Sequence, residues 1–203
     1  MYRAALRHLR SVDPTLAGVI QAVGPCRLEV STGLTHFEAV ARSIVYQQLS
    51  GKAAATIYGR FAARFPRNVV EAGALLGMND ESLREVGLSR QKAAYLRDLA
   101  TRVAGGALPI ETLHTLEDAA VIGHLTTVKG VGLWTAQMFL LFRFGRPDIL
   151  PDLDLGVQKA MKIAYRMRKL PSPERVRKVG ARWAPWRSVA TWYLWRSIDG
   201  DAN

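Results

Sequence analysis

Apolar residues along the chain recur mostly at three- and four-residue spacing, and convincing runs of period two are scarce, so the pattern predicts an all-α protein. Helix-start signals divide it. Asp13-Pro14 pairs an N-cap with a first-turn proline ahead of Leu16, and Thr35 caps the segment that carries Phe37, Val40, Ile44 and Val45. Further helices are expected over about 51–64, 68–76, 80–86 and 89–103. After Gly105-Gly106 and Pro109, short helices lead to Leu125, and a helix following Gly130-Val131-Gly132 is expected to run to about Arg143. Asp154 then opens a helix through Arg168, Ser172-Pro173-Glu174 opens one through Arg182, and Pro185 opens the last. No internal repeat, low-complexity stretch or long linker interrupts this series.

Composition narrows the picture. With 203 residues, 49% of them hydrophobic, the chain can build one sizeable core or two small helical lobes. A formal charge of +11 and a pI near 10.3 point to an acidic polymer as partner, nucleic acid first, because each phosphate neutralised by Lys or Arg releases condensed counterions. Cys26 is the one cysteine, which leaves no internal disulfide, no zinc site made by cysteine alone and no four-thiolate iron–sulfur cluster. Charges interrupt the apolar residues of Met1 to Arg10, unlike a signal peptide or a membrane span. A reduced, cytoplasmic protein without a membrane partner is expected.

The densest chemistry lies between Leu125 and Val157. Glycines at both ends of the Gly130-Val131-Gly132 turn let backbone approach a phosphate, and the free N–H groups of the helix that follows favour an anion. Taken alone, such a turn more often marks only a helix end. Downstream come Gly145-Arg146-Pro147-Asp148 and Leu150-Pro151-Asp152-Leu153-Asp154-Leu155-Gly156-Val157, where Asp154 also reads as an ordinary N-cap.

This succession resembles the helix-hairpin-helix (HhH-GPD) DNA glycosylase superfamily, in which the hairpin precedes a Gly/Pro-rich loop and a catalytic aspartate, and within it the 3-methyladenine DNA glycosylase II branch. Three more blocks carry the resemblance: Ile44 to Ala54 (IVYQQLSGKAA), Gly87 to Leu96 (GLSRQKAAYL), and Arg182 to Ser188 (RWAPWRS) leading to Trp195. Together the blocks span roughly residues 35 to 197. The resemblance implies a single glycosylase unit over 1–203, with an active-site cleft between a lobe of about 35–143, including the hairpin 125–143, and a lobe made of 1–34 plus 144–203. Some relatives add an N-terminal β-rich domain, for which this chain has no room.

Roles follow position by position. Asp154 fits the family's aspartate before a hydrophobic-x-Val helical start better than Asp152 does, and would stabilise the positive charge that builds on the sugar as a base departs. Trp134 stands where strand-nicking relatives carry a nucleophilic lysine, which implies a monofunctional enzyme that uses water and leaves an abasic site. Trp134 and Trp195 match an aromatic pocket for a flipped cationic purine of the 3-methyladenine or 7-methylguanine type, with Met138 and Trp192 near them on helical geometry. Gln48, with Leu49 and Ser50 beside it, matches the segment that fills the gap in the duplex. Lys129, Gly130, Gly132 and the Ser89 turn are expected to contact phosphate.

No catalytic metal is implied. The resemblance allows a monovalent cation, Na⁺ or K⁺, at the hairpin carbonyls of Val128 and Gly130. Basic residues cluster after the aspartate loop, from Lys159 and Lys162 through Arg166, Arg168, Lys169, Arg175, Arg177, Lys178 and Arg182 to Arg187. Some would meet phosphate, while a solvated helix face is their ordinary explanation. The expected partner is double-stranded DNA containing damaged bases, bound by a monomer associated with the nucleoid if the source is bacterial. Two rival readings share the fold: a glycosylase for oxidised, deaminated or mismatched bases, and a damage-sensing DNA-binding module without catalysis.

Overall fold

The computed structural model describes residues Tyr2–Asp199, so Met1 and residues 200–203 at the ends of the expected terminal lobe lie outside the described residues. Among these there is no β-strand, and no helix is long and apolar enough to cross a membrane. In chain order the helices are α1 (Arg3–Val12), α2 (Pro14–Val23), α3 (His36–Tyr46), α4 (Gly51–Ala62), α5 (Ala72–Gly77), α6 (Asp80–Glu85), α7 (Arg90–Ala104), α8 (Asp118–Thr126), α9 (Leu133–Phe142), α10 (Leu155–Ala164), α11 (Pro173–Gly180) and α12 (Arg187–Ile198). Two compact units result: Met1–Val30 with Leu140–Asn203, and Ser31–Phe139.

In the first unit α2 and α10 pack on α12, and α1 packs on α2. Residues Ser188 to Leu194 of α12 are buried without interruption, which is why that helix shows no polar stripe: it is a core helix that neighbours cover on all sides. The buried Asp13 organises this unit. Its Oδ1 accepts the Leu16 N–H at 3.0 Å as the N-cap of α2, while Oδ2 accepts the Tyr165 hydroxyl at 2.7 Å and the Trp183 indole N–H at 2.9 Å. One cap thus satisfies a buried carboxylate and ties three chain segments together.

In the second unit α3 and α5 pack on α7 over a core that includes Ile44, Phe61, Leu75, Leu96 and Leu99. Thr35 and Glu38 form a reciprocal capping box at the start of α3. The second carboxylate oxygen of Glu38 accepts the Val70 N–H at 3.1 Å, so the same side chain supports an extended strand-like segment between α4 and α5.

Four expected helix boundaries move. The helix expected over about 68–76 begins only at Ala72, because Pro66–Asn68 form a 3-10 turn with Arg67 and Asn68 in the left-handed region and Val70 is drawn to Glu38. The helix expected to reach Arg168 stops at Ala164, where the Tyr165 hydroxyl is held by Asp13 and Arg166 takes φ 50°. The one expected to reach Arg182 closes at Gly180 and continues as the 3-10 turn Ala181–Trp183. Pro185 does not open α12; it follows a cis peptide bond, and the helix starts at Arg187.

Candidate active site

Asp154 lies in the first unit, half-buried, as the N-cap of α10. Its Oδ1 accepts the Val157 N–H at 2.8 Å, an i to i+3 bond that the local sequence dictates. The same oxygen accepts the indole N–H of Trp195, also at 2.8 Å, from α12. That indole ring stacks on Phe142, 5.8 Å between centroids and 17° between planes. Gly156 leaves room for the arrangement: a Cβ there would lie 3.0 Å from Asp154 Oδ1 and 3.1 Å from Trp195 Cδ1. A carboxylate fixed by two donors and a stacked ring cannot swing, which is the pre-organisation that electrostatic stabilisation of a developing cation requires.

The loop leading into Asp154 is equally constrained. Gly145, at φ 64°, meets Val30, whose Cγ2 would be 2.8 Å from an added Cβ. Arg187 forks onto Asp148 with Nε to Oδ1 at 2.7 Å and Nη2 to Oδ2 at 2.8 Å. Ser188 accepts the Ile149 N–H at 2.9 Å and donates to the Arg146 carbonyl at 2.6 Å. Asp152 is buried and pairs with Arg177, while its carbonyl accepts the Gln158 side-chain amide at 3.0 Å. The two aspartates therefore sit in different surroundings: Asp152 beside a guanidinium, Asp154 beside an indole N–H.

These ion pairs revise the reading of the basic cluster. Arg177 and Arg187 hold Asp152 and Asp148 rather than standing on a purely solvated face. Lys159, Lys162, Arg166, Arg168, Lys169, Arg175, Lys178 and Arg182 are exposed. Trp192 is buried and meets Tyr193 edge-on, at 4.9 Å and 90°, a core position on the same helix as Trp195.

In the second unit the turn between α8 and α9 is anchored by buried Val128 and Val131, with the Val131 N–H bonded to the Val128 carbonyl at 3.0 Å. Gly130 takes φ 79°, and an added Cβ would fall 2.1 Å from Tyr95 Cδ2, so glycine is required there on both conformational and steric grounds. The Lys129 N–H donates to Asp98 Oδ2 at 2.9 Å. Burial would raise the Asp98 carboxyl, but that N–H together with Arg102 outweighs it and holds the group below its ordinary value. Lys129, Gly130 and Gly132 are exposed. Beyond the turn Trp134 is 46% exposed on the first turn of α9, and Met138, one turn on, is half-buried.

The segment after α3 carries Gln48 in the left-handed region at φ 58°, exposed together with Leu49 and Ser50. Ser50 caps α4 through the Ala53 N–H, and Ser89 caps α7 through the Lys92 N–H at 3.2 Å. Three residues that the sequence did not single out bind these turns to one another. The Gln47 side-chain amide donates to the Gly130 carbonyl at 2.8 Å, the Lys92 ammonium donates to the Val45 and Gln47 carbonyls at 2.7 Å each, and Tyr95 lies under Gly130. Their partners are tens of residues away, and the only local signal was that all three stand inside the matched blocks.

Comparison with known proteins gives one consistent result. Residues 41–185 match the family described as HhH-GPD superfamily base excision DNA repair protein. A relative in Schizosaccharomyces pombe, DNA-3-methyladenine glycosylase 1, is 31% identical over 197 residues, covering 94% of this chain and 85% of the relative. Among solved structures, a DNA-3-methyladenine glycosidase from Bacillus halodurans superposes with a TM-score of 0.87 at 34% identity, over 98% of this chain and 90% of the other. The 3-methyladenine DNA glycosylase Mag1 of Schizosaccharomyces pombe, solved in complex with abasic DNA, gives 0.84 at 29% identity over 96% of both chains.

Proposed function

Because the chain belongs to the HhH-GPD superfamily of base excision DNA repair proteins, we propose that it is a monofunctional DNA glycosylase that flips alkylated purines, of the 3-methyladenine and 7-methylguanine type, and hydrolyses their N-glycosidic bond. The observation that carries the reading is the carboxylate of Asp154, fixed at the mouth of α10 by Val157 and Trp195. The names of the similar proteins, 3-methyladenine glycosylases, support the substrate class.

Ring-nitrogen alkylation makes the purine cationic, so it leaves readily and needs little acid assistance. Departure puts positive charge on the sugar, which the Asp154 carboxylate stabilises while it orients the attacking water. The base departs, the water oxygen bonds to the anomeric carbon and gives up its proton, and an abasic site remains. The resemblance assigns aromatic faces for the cationic base to Trp195 beside Asp154 and to Trp134 on α9, with Met138 one turn on. Gln48 and Leu49 fill the space the nucleotide vacates, while Lys129 and the N–H groups of Gly130, Gly132 and the Ser89 turn take the phosphates. Trp134 occupies the lysine position of strand-nicking relatives, so no Schiff base forms.

The hairpin carbonyls are suitable oxygen donors for a monovalent cation. Val128 and Gly130 would hold it, each keeping a lone pair beyond the hydrogen bond already accepted, and the ion would supply positive charge toward a phosphate. The protein acts as a monomer in a reducing, DNA-containing compartment, the cytoplasm and its nucleoid in a bacterium.

The test is release of free methylated purines from alkylated DNA, set against oligonucleotides carrying hypoxanthine, uracil or 8-oxoguanine. Release from alkylated DNA, lost in Asp154→Asn with DNA binding retained, is the expected outcome. Loss in Asp152→Asn but not in Asp154→Asn would move the chemistry to the other aspartate, and binding without release across the whole panel would make the protein a sensor.

A further inference from the structure

The mechanism above leaves Gln47 and Lys92 without a part, yet both make polar contacts that join separate turns of the Ser31–Phe139 unit, those of Lys92 half-buried and that of Gln47 exposed. The α3 helix ends at Tyr46, and its last carbonyls have no donor inside the helix. The Lys92 ammonium, from the first turn of α7, meets two carbonyls at that end, Val45 and Gln47, at 2.7 Å each. A cation there also complements the negative end of the helix dipole. Gln47 then reaches outward, its amide nitrogen 2.8 Å from the Gly130 carbonyl of the hairpin. The face of α7 that bears Lys92 continues through Tyr95, against Gly130, to Asp98, which accepts the Lys129 N–H. One fifteen-residue helix therefore grips the segment before Gln48 from its first turn and the hairpin from its middle.

We propose that Lys92 and Gln47 are positioning residues that make Gln48 and the hairpin a single rigid device, so that gripping a phosphate fixes how far the plug reaches into the duplex. The inference rests on the glycosylase reading for its consequence, though not for its mechanics. Without the clamp, Gln48 keeps its side chain but loses its fixed distance from the phosphate-binding turn. Excision from paired DNA then suffers, while excision from an already unpaired strand does not.

The experiment compares single-turnover release of one site-specific 7-methylguanine from duplex and from single-stranded oligonucleotide. Lys92→Met should lower the duplex-to-single-strand ratio by about 10-fold or more, as expected for charge-assisted hydrogen bonds, Gln47→Leu by about 3- to 10-fold, as expected for a neutral one, and Lys92→Arg should retain most of it. In a Gln48→Ala background, adding Lys92→Met should change the ratio by less than about 2-fold, because residues acting as one unit are not additive. Equal losses on both substrates, or the same drop with and without Gln48, would overturn the proposal. A second measurement needs no catalysis: amide exchange in segments 47–51 and 128–132 should rise together in Lys92→Met, and a rise in the first alone would overturn the clamp. If the unsubstituted protein releases no base from either substrate, the glycosylase reading fails and the exchange measurement still decides the clamp.

Discussion

Asp154 and Trp195 share a hydrogen bond whose two partners have different assigned tasks, one facing charge and the other facing a base. Replacing Trp195 by Phe retains a ring to stack on Phe142 but removes the N–H, so the carboxylate loses its indole donor while the Val157 N–H stays in place. A hydrogen bond to a charged group contributes about 1.5–3 kcal/mol, so single-turnover base release should fall by about 10- to 100-fold with little change in affinity for undamaged DNA. A fall confined to affinity would mean that the N–H does not orient the carboxylate. At this scale the sequence was legible wherever the bond was local. The caps Asp13, Thr35, Ser89 and Asp154 each bond three residues ahead, a distance that backbone geometry alone determines. Trp195 to Asp154, Arg177 to Asp152 and Gln47 to Gly130 were not legible, since residues 41, 25 and 83 positions apart meet only after the helices pack.

At the scale of elements, the hairpin depends on α7 for its shape. Asp98 accepts the Lys129 N–H, and its carboxyl is held below the ordinary value near 3.8 despite burial. A carboxylate whose folded pKa is depressed contributes stability that is fully present above its unfolded pKa and is lost as pH falls through the folded one. Acid should therefore loosen the protein progressively below about pH 4, and Asp98→Asn should flatten that limb of the stability curve in thermal melts taken across pH. An unchanged acid limb would show that Asp98 titrates alike in both states. Helix existence was readable from spacing and caps, whereas ends were displaced where distant partners intervened. Glu38 draws Val70 out of helical geometry, and α10 ends at its C-cap Tyr165, whose hydroxyl Asp13 holds, before Arg166 takes φ 50°.

For the whole molecule, a charge of +11 governs how DNA is met rather than how bases are chosen. Nine exposed lysines and arginines stand between Lys159 and Arg182, Arg177 among them although it pairs with Asp152. If about six phosphates are neutralised, affinity should drop about 10³-fold between roughly 50 and 200 mM salt. A titration of binding to undamaged duplex against salt measures the slope, and a flat response would separate the charge from DNA binding. The all-α class and the superfamily were legible in the sequence from helical periodicity and four ordered blocks, because both are properties of the chain read end to end. The pairing of two members of the basic cluster with carboxylates was not, since Arg177 and Arg187 look like their neighbours until Asp152 and Asp148 are placed beside them.

The bond from indole to carboxylate also sets a rule for anyone wishing to retune which lesions are excised. Tryptophan alone among the aromatic side chains offers a wide ring and a donor at that reach, so exchanging it to admit a bulkier or less charged base also slackens the hydrolytic group. If Trp195 meets the base and Asp154 the sugar as proposed, selectivity and turnover at position 195 are inherited as one trait, and a broadened enzyme would have to be sought through other residues.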